Sequence, residues 1–136
     1  MMREGTRGNV TIEFIAISIF LLIPVCYLAV SAMAVAQTFL TITGAARTGA
    51  RVFVTQETES AAHLRGTQSV RDQLKIGQIN PAQFSINFSC TEKPCLTSNG
   101  YVTATIKGSK SIVLPLLKPV KVALVSSQTI EVDAFR

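Results

Sequence analysis

The hydrophobic pattern changes character twice along the chain. From Phe14 to Ala46 there is no Asp, Glu, Lys, Arg or His, and Phe14 to Ala36 is broken only by Ser18, Pro24 and Ser31. Roughly 20 apolar residues cross the hydrocarbon core of a bilayer, so this stretch predicts a membrane-spanning helix. Pro24 lacks an amide hydrogen and would kink that helix unless its neighbours accommodate it. The helical spacing continues beyond the span, with Leu40, Ala45, Ala46, Ala50 and Val54 in register. A helix from about residue 10 to residue 54 is therefore expected, about twice as long as a bilayer core is thick. Within it, Gly44 and Gly49 each cost about 1 kcal/mol relative to Ala, which implies close packing or a local break.

From Thr55 to Gly77 the chain is polar, with a thin helical stripe at Ala61, Leu64, Val70 and Leu74. Gly66 weakens that stripe, and Gly77 marks a stop. After Pro81 the period becomes two. Phe84, Ile86, Phe88 and Cys90 alternate with polar residues, as do Val102, Ala104 and Ile106 after a turn at Ser98 to Gly100. "KGSKS", Lys107 to Ser111, reads as another turn, and the proline-interrupted "IVLPLLKP" as a loop or edge segment. Val122, Leu124, Ile130, Val132 and Ala134 then share one face.

These elements define an α+β fold. A long N-terminal transmembrane helix extends into a small α+β head with a three- to four-stranded antiparallel sheet. The expected divisions are a leader at residues 1–8, a transmembrane and projecting helix at 9–54, and a head at 55–136.

Composition sharpens this picture. Hydrophobic residues make up 48% and charged residues 15% of the 136 positions, against roughly 25% charged in soluble domains, and the deficit is local to the span. The net charge of +5 is spread thinly, without the aromatic interleaving of a nucleic-acid platform, so no nucleic acid is expected as a partner. The basic balance fits juxtamembrane placement and solubility.

Chemistry is sparse. The one histidine, His63, has no carboxylate and serine pattern around it, so a nucleophile, base and orienting group are not assembled. "GAARTG", Gly44 to Gly49, lacks the lysine and hydroxyl ending of a phosphate loop. Glu57 with Glu59, and Glu131 with Asp133, read as solvated charges. The expectation is of no enzyme, no catalytic residue, no metal, no cofactor and no small-molecule substrate. Of three cysteines, Cys26 lies in the span and behaves as a small hydrophobe. Cys90 and Cys95 enclose "TEKP". They form a disulfide if this part occupies an oxidising compartment, and are two free surface thiols otherwise.

Glu13 is the anomaly. An ionised side chain at the centre of a membrane helix costs roughly 2.5–3.5 kcal/mol, and less near its ends. It either snorkels to the interface or has a partner. Arg3 and Arg7 precede the span while Arg47 and Arg51 follow it, so the positive-inside comparison orients the chain only weakly. The cysteine pair favours an external head. "SAMA", Ser31 to Ala34, contains a small-x-small cleavage pattern, but the apolar stretch before it exceeds the roughly 7–15 residues of a cleavable signal. "IPVC", ending at Cys26, has a bulky valine where a lipoprotein site needs a small residue.

Two segments, "RGNVTIEF" (Arg7 to Phe14) and "GAARTGARV" (Gly44 to Val52), resemble the type IV pilin class. More narrowly, they resemble the TadE-like minor pilins, or pseudopilins, of the tight-adherence (Tad/Flp) pilus system. "SSQTIEVDAF" is consistent with that likeness, which lies mainly in the first 55 residues or so. The resemblance implies a type IV pilin-like fold and cleavage by a prepilin peptidase between Gly8 and Asn9. It further implies subunit assembly through Glu13 and Phe14, and a helix signature at Gly44, Arg47, Gly49 and Arg51. In that family the early glutamate pairs with the terminal amine of a neighbouring subunit. The implied partners are the membrane, the prepilin peptidase, other pilin subunits and the pilus assembly machinery. The implied location is the bacterial inner membrane, single-pass, with the C-terminal domain outside and possible incorporation into a surface pilus. A membrane-anchored structural subunit of an adhesion pilus is the function expected. The alternative is a bitopic envelope protein whose head binds a secretion-system or cell-surface component without entering a filament.

Overall fold

The computed structural model describes residues 9–113 and 118–133. Helix α1, Asn9–Val54, is one unbroken element of 46 residues that runs through Pro24, about 69 Å at about 1.5 Å per residue. It is long and apolar enough to cross a membrane. The mean hydropathy of its most apolar window is 2.5, and none of that window is buried by the rest of the chain.

Helix α2, Glu59–Ile76, follows a short connection. The Thr58 hydroxyl caps its first turn by accepting from the Ala61 amide at 3.4 Å. Its last turn closes at Gly77, whose amide donates to the Gln73 carbonyl at 3.1 Å. Gln78, at φ 56°, then turns the chain. A single 3-10 turn at Pro81–Gln83 leads into the sheet.

Strands β1 (Phe84–Cys90), β2 (Tyr101–Ile112) and β3 (Val120–Glu131) form an antiparallel meander in the order β1-β2-β3. Even-numbered residues face the helices. Phe84, Phe88, Val102, Ala104, Ile106 and Leu124 are buried there, and Val132 just after β3 joins them. The opposite face carries hydroxyl pairs across β2 and β3, Thr103 with Thr129 at 2.8 Å and Thr105 with Ser127 at 2.6 Å. The fold is thus α+β, with the upper half of α1 and all of α2 on one face of a three-stranded sheet.

Several expectations need correction. The buried face of α1 comprises Thr38, Ile42, Ala45, Ala46, Ala50 and Phe53, whereas Leu40 is 69% exposed. The stripe of α2 is Ala62, Gly66, Val70 and Leu74. Leu64 is 70% exposed and Ala61 half-buried. That phase follows from the crossing of the two helices, where Gly49 meets Gly66. A Cβ on either glycine would sit 3.4 Å from the other's carbonyl oxygen. Only small residues allow so near an approach, and Leu64 is turned away from it.

"KGSKS" is not a turn. Lys107 to Ser111 continue β2, which pairs with β3 as far as Ile112 and Val120. Gly108 lies opposite Phe84, where a Cβ would come within 2.3 Å of the Phe84 ring. This glycine makes room for an aromatic ring rather than reversing the chain. Part of "IVLPLLKP" and Ala134 lie outside the described residues.

Candidate functional site

The feature that sets this molecule apart is the uncovered surface of α1. Its first half is apolar all round: Phe14 is 70%, Phe20 80%, Leu21 65% and Val30 70% exposed. A helix apolar on every side belongs in lipid or among other helices. The uncovered surface does not end where the head begins. Met33, Ala36, Leu40, Gly44, Arg47 and Arg51 follow one another at helical spacing and are all exposed, on the side turned away from the buried face.

Glu13 sits in the early turns of α1 with its side chain exposed. Among the described residues it has no ion-pair partner. Phe14 beside it is equally bare. Gly8 lies outside the described residues, and Asn9 is the first residue of the helix.

The remaining signature positions divide. Gly49 is buried, and a Cβ there would lie 2.3 Å from Val70 Cγ2. Gly44 is exposed and a Cβ would meet nothing within 4 Å, so neither packing within this chain nor a break in the helix accounts for it. Arg47 and Arg51 are four apart on the open face. The structure therefore groups Gly44, Arg47 and Arg51 on one surface and sends Gly49 to the opposite one.

Cys90 and Cys95 are joined by a disulfide with a Cα–Cα distance of 5.3 Å. It closes the start of the β1–β2 connection. Nearby, Thr91 Oγ1 accepts from the Tyr101 amide at 2.9 Å and Thr97 Oγ1 donates to the Pro94 carbonyl at 2.6 Å. The Asn99 amide donates to the Val132 carbonyl at 3.2 Å, and the Val132 amide to the Gly100 carbonyl at 2.8 Å, which fastens this loop to the residue just after β3. Cys26 is free and exposed on α1.

His63 Nε2 lies 4.0 Å from Glu59 Oε1, both half-exposed on α2. Its ring meets Phe53 edge-on at 4.9 Å between centroids. Among the described residues, no group of three or more His, Cys, Asp or Glu side chains could hold a metal ion.

One contact was beyond the reach of sequence reasoning. The Tyr27 hydroxyl, on the apolar part of α1, donates to the Val113 carbonyl just past β2. The residue just past β2 thus lies against the apolar half of α1. Nothing local in the sequence signals a partner 86 positions away.

Fold and surface together define an α+β protein with one helix fit to cross a membrane and a bare face along it. In comparisons with known proteins, no family model, curated protein or solved structure matches this chain.

Proposed function

We propose that this chain is a membrane-anchored structural subunit, a minor pilin or pseudopilin of the TadE-like kind serving a Tad/Flp-type adhesion pilus. The observation that supports this reading is the open stripe of α1. It runs from the apolar half past the start of the head, through Leu40 and Gly44 to Arg47 and Arg51. Lipid suits the lower part of this surface, and helices of sister subunits suit the whole of it.

In this reading a prepilin peptidase cuts between Gly8 and Asn9, and Glu13 becomes the fifth residue of the mature chain. Its carboxylate takes the terminal amine of a neighbouring subunit as that subunit leaves the bilayer. Two charges disfavoured in lipid then neutralise each other, and assembly gains what the separate subunits lacked. The head lies outside the cytoplasmic membrane, where Cys90 and Cys95 stay oxidised. Pro24 is tolerated because neighbouring helices and local adjustment satisfy the freed Phe20 carbonyl.

Mass spectrometry of the mature amino terminus, with the prepilin peptidase present and absent, tests the proposal. A start at Asn9 only when the peptidase is present is the expected result. An intact Met1 start in the native envelope overturns it in favour of a bitopic envelope protein, and a start at Val35 in favour of a released product.

A further inference from the structure

We propose that the cavity between α1, the turn after α2 and strand β2 binds the phosphate of a phospholipid headgroup, with Lys110, Gln37 and Gln78 as its donors. The inference shares with the proposed function only the reading that α1 spans a bilayer.

Depth comes first. A span that opens at Phe14 crosses the hydrocarbon core in about 20 residues and reaches the outer boundary near Met33. A tilt of about 20° moves that boundary by about one residue. Headgroups occupy about 5–7 Å beyond it, about four further residues of helix. Ala34, Gln37 and Thr38 therefore stand at or beside the headgroup layer, and they form part of the α1 wall of an open cavity of about 480 Å³. Small-molecule sites fall at about 300–1,000 Å³. Below it the wall turns apolar. Val30 and Val35 of α1 line a smaller cavity with Ile112 of β2, and Ala34 and Lys110 border both. Polar above and apolar below is the profile of a phospholipid.

The lining supplies the chemistry. Lys110 is half-buried and has no ion-pair partner among the described residues. Its neighbours on α1 belong to a stretch, Phe14 to Ala46, that carries no acid. A lone ammonium at headgroup level attracts phosphate. The side-chain amides of Gln37 and Gln78 on the same walls add neutral donors. The Thr38 and Thr41 hydroxyls already donate to the Ala34 and Gln37 carbonyls at 2.8 and 2.9 Å. The carbonyl end of α2 would repel an anion, but its Gln73, Leu74 and Lys75 carbonyls are taken by the Gly77, Ile79 and Gln78 amides.

Backbone conformation adds an independent observation. Gln78 is held at φ 56°, in the left-handed region where glycine is the usual residue after a helix. The glycine of this turn is instead Gly77, at φ −75°, where a Cβ would lie 2.5 Å from Thr41 Cγ2. Backbone preference therefore does not account for a glutamine at position 78. A side-chain amide needed on the cavity wall does, and strain of this kind gathers at binding sites.

Native mass spectrometry of the full chain in detergent micelles, titrated with phosphatidylglycerol, tests the proposal. Wild type should retain bound lipid, and Lys110→Ala should lower the retained fraction about tenfold, as loss of a charged hydrogen bond does. Lys110→Arg should retain lipid, and so should the control Lys121→Ala. Gln78→Gly should lower retention while raising the urea midpoint, because glycine relieves the left-handed backbone. A merely structural Gln78 would leave retention unchanged. Equal retention by wild type, Lys110→Ala and Gln78→Gly overturns the proposal. Displacement of the lipid by inorganic phosphate at the same concentration overturns the choice of lipid over free phosphate. Wild type that stays in alkali-washed membranes yet retains no lipid overturns the site and leaves the spanning helix standing. Release by alkali overturns the spanning helix and the proposal with it.

Discussion

Two glycines in the segment Gly44 to Val52 should respond to the same substitution with opposite signs. Gly44→Ala places a methyl group in open space, since nothing lies within 4 Å of the new Cβ. The gain in helix propensity, about 0.8–1 kcal/mol, is then realised in full. Gly49→Ala receives the same propensity gain, but its Cβ falls 2.3 Å from Val70 Cγ2. Val70 is fully buried, and as a β-branched residue in a helix it has essentially one rotamer. Overpacking of this kind costs about 1–3 kcal/mol. Because propensity cancels between the two variants, their difference in stability reads the clash directly. Urea unfolding in detergent micelles, followed by pulse proteolysis, provides the measurement. With an m-value of about 1–3 kcal/mol/M, each kcal/mol moves the midpoint by about 0.3–1 M. Gly44→Ala should raise the midpoint and Gly49→Ala should fall below it. In a Val70→Ala background, itself destabilised by loss of buried apolar surface, Gly49→Ala should become favourable. Equal midpoints for the two single variants would refute the Gly49–Gly66 crossing, as would failure of Val70→Ala to relieve Gly49→Ala.

Other perturbations test other links. Replacing Cys90 and Cys95 together by serine opens a ring of sequence separation 5, for which the chain-entropy relation gives a loss of about 2 kcal/mol. The same unfolding assay should show it, and reduced wild-type protein should match the variant. Phe88→Ala removes a ring stacked on Phe53 at 4.9 Å between centroids, and should cost about 3–5 kcal/mol, enough to leave the head protease-sensitive without urea. Glu13→Ala should insert into membranes as well as wild type but fail to form or prime pili, scored by shearing and microscopy. Normal pili in that variant would exclude the pairing of Glu13 with a neighbouring amine.

The parts of the fold legible in the sequence were those written as long, regular patterns. No charge interrupts Phe14 to Ala46, so α1 announces itself, and strict alternation from Phe84 to Cys90 and from Val102 to Ile106 gives two strands. The parts that misled were those where glycine serves packing. Gly66 and Gly108 read as a weakness and a turn because hydrophobicity assigns glycine no place in a core. Each instead admits a close neighbour, the α1 backbone in one case and the Phe84 ring in the other. Helical spacing grouped Leu40 and Leu64 with the apolar stripes of their helices, whereas the crossing at Gly49 and Gly66 sets another phase on α2 and leaves Leu40 on the far side of α1. Of the candidate surface, Glu13 and the arginine pair stood out as charges bordering an uncharged run. The Tyr27–Val113 contact did not, because it depends on how far a hairpin reaches along a helix.

The bare stripe of α1 also constrains what can cover it. A bilayer core is satisfied by about 20 helical residues, so a span that begins at Phe14 ends near Met33, some seven positions short of Leu40. Sliding the helix inward until Leu40 reaches the outer boundary would push the segment Phe14 to Phe20 out of the opposite face. Several large apolar side chains would then lie in water on that side, each forfeiting about 1.5–3 kcal/mol of burial. The same shift would carry Lys110, which lies beside Ala34 on α1, toward hydrocarbon. A bilayer around α1 would therefore cover either the lower apolar segment or the upper stripe, and the lower one is far the larger. Leu40, at 69% exposure, and the adjoining Gly44, Arg47 and Arg51 would then be left outside the bilayer, and on the proposed subunit reading they are open to protein. A neighbouring helix suits that stripe: Leu40 supplies an apolar contact, Gly44 allows close approach, and the two arginines can reach a carboxylate on the partner. Crosslinking between cysteines placed at Leu40 and Gly44 in a Cys26→Ala background should trap dimers in membranes that contain the assembly machinery. Trapping at neither position, in membranes where pili form, would leave the stripe without its partner.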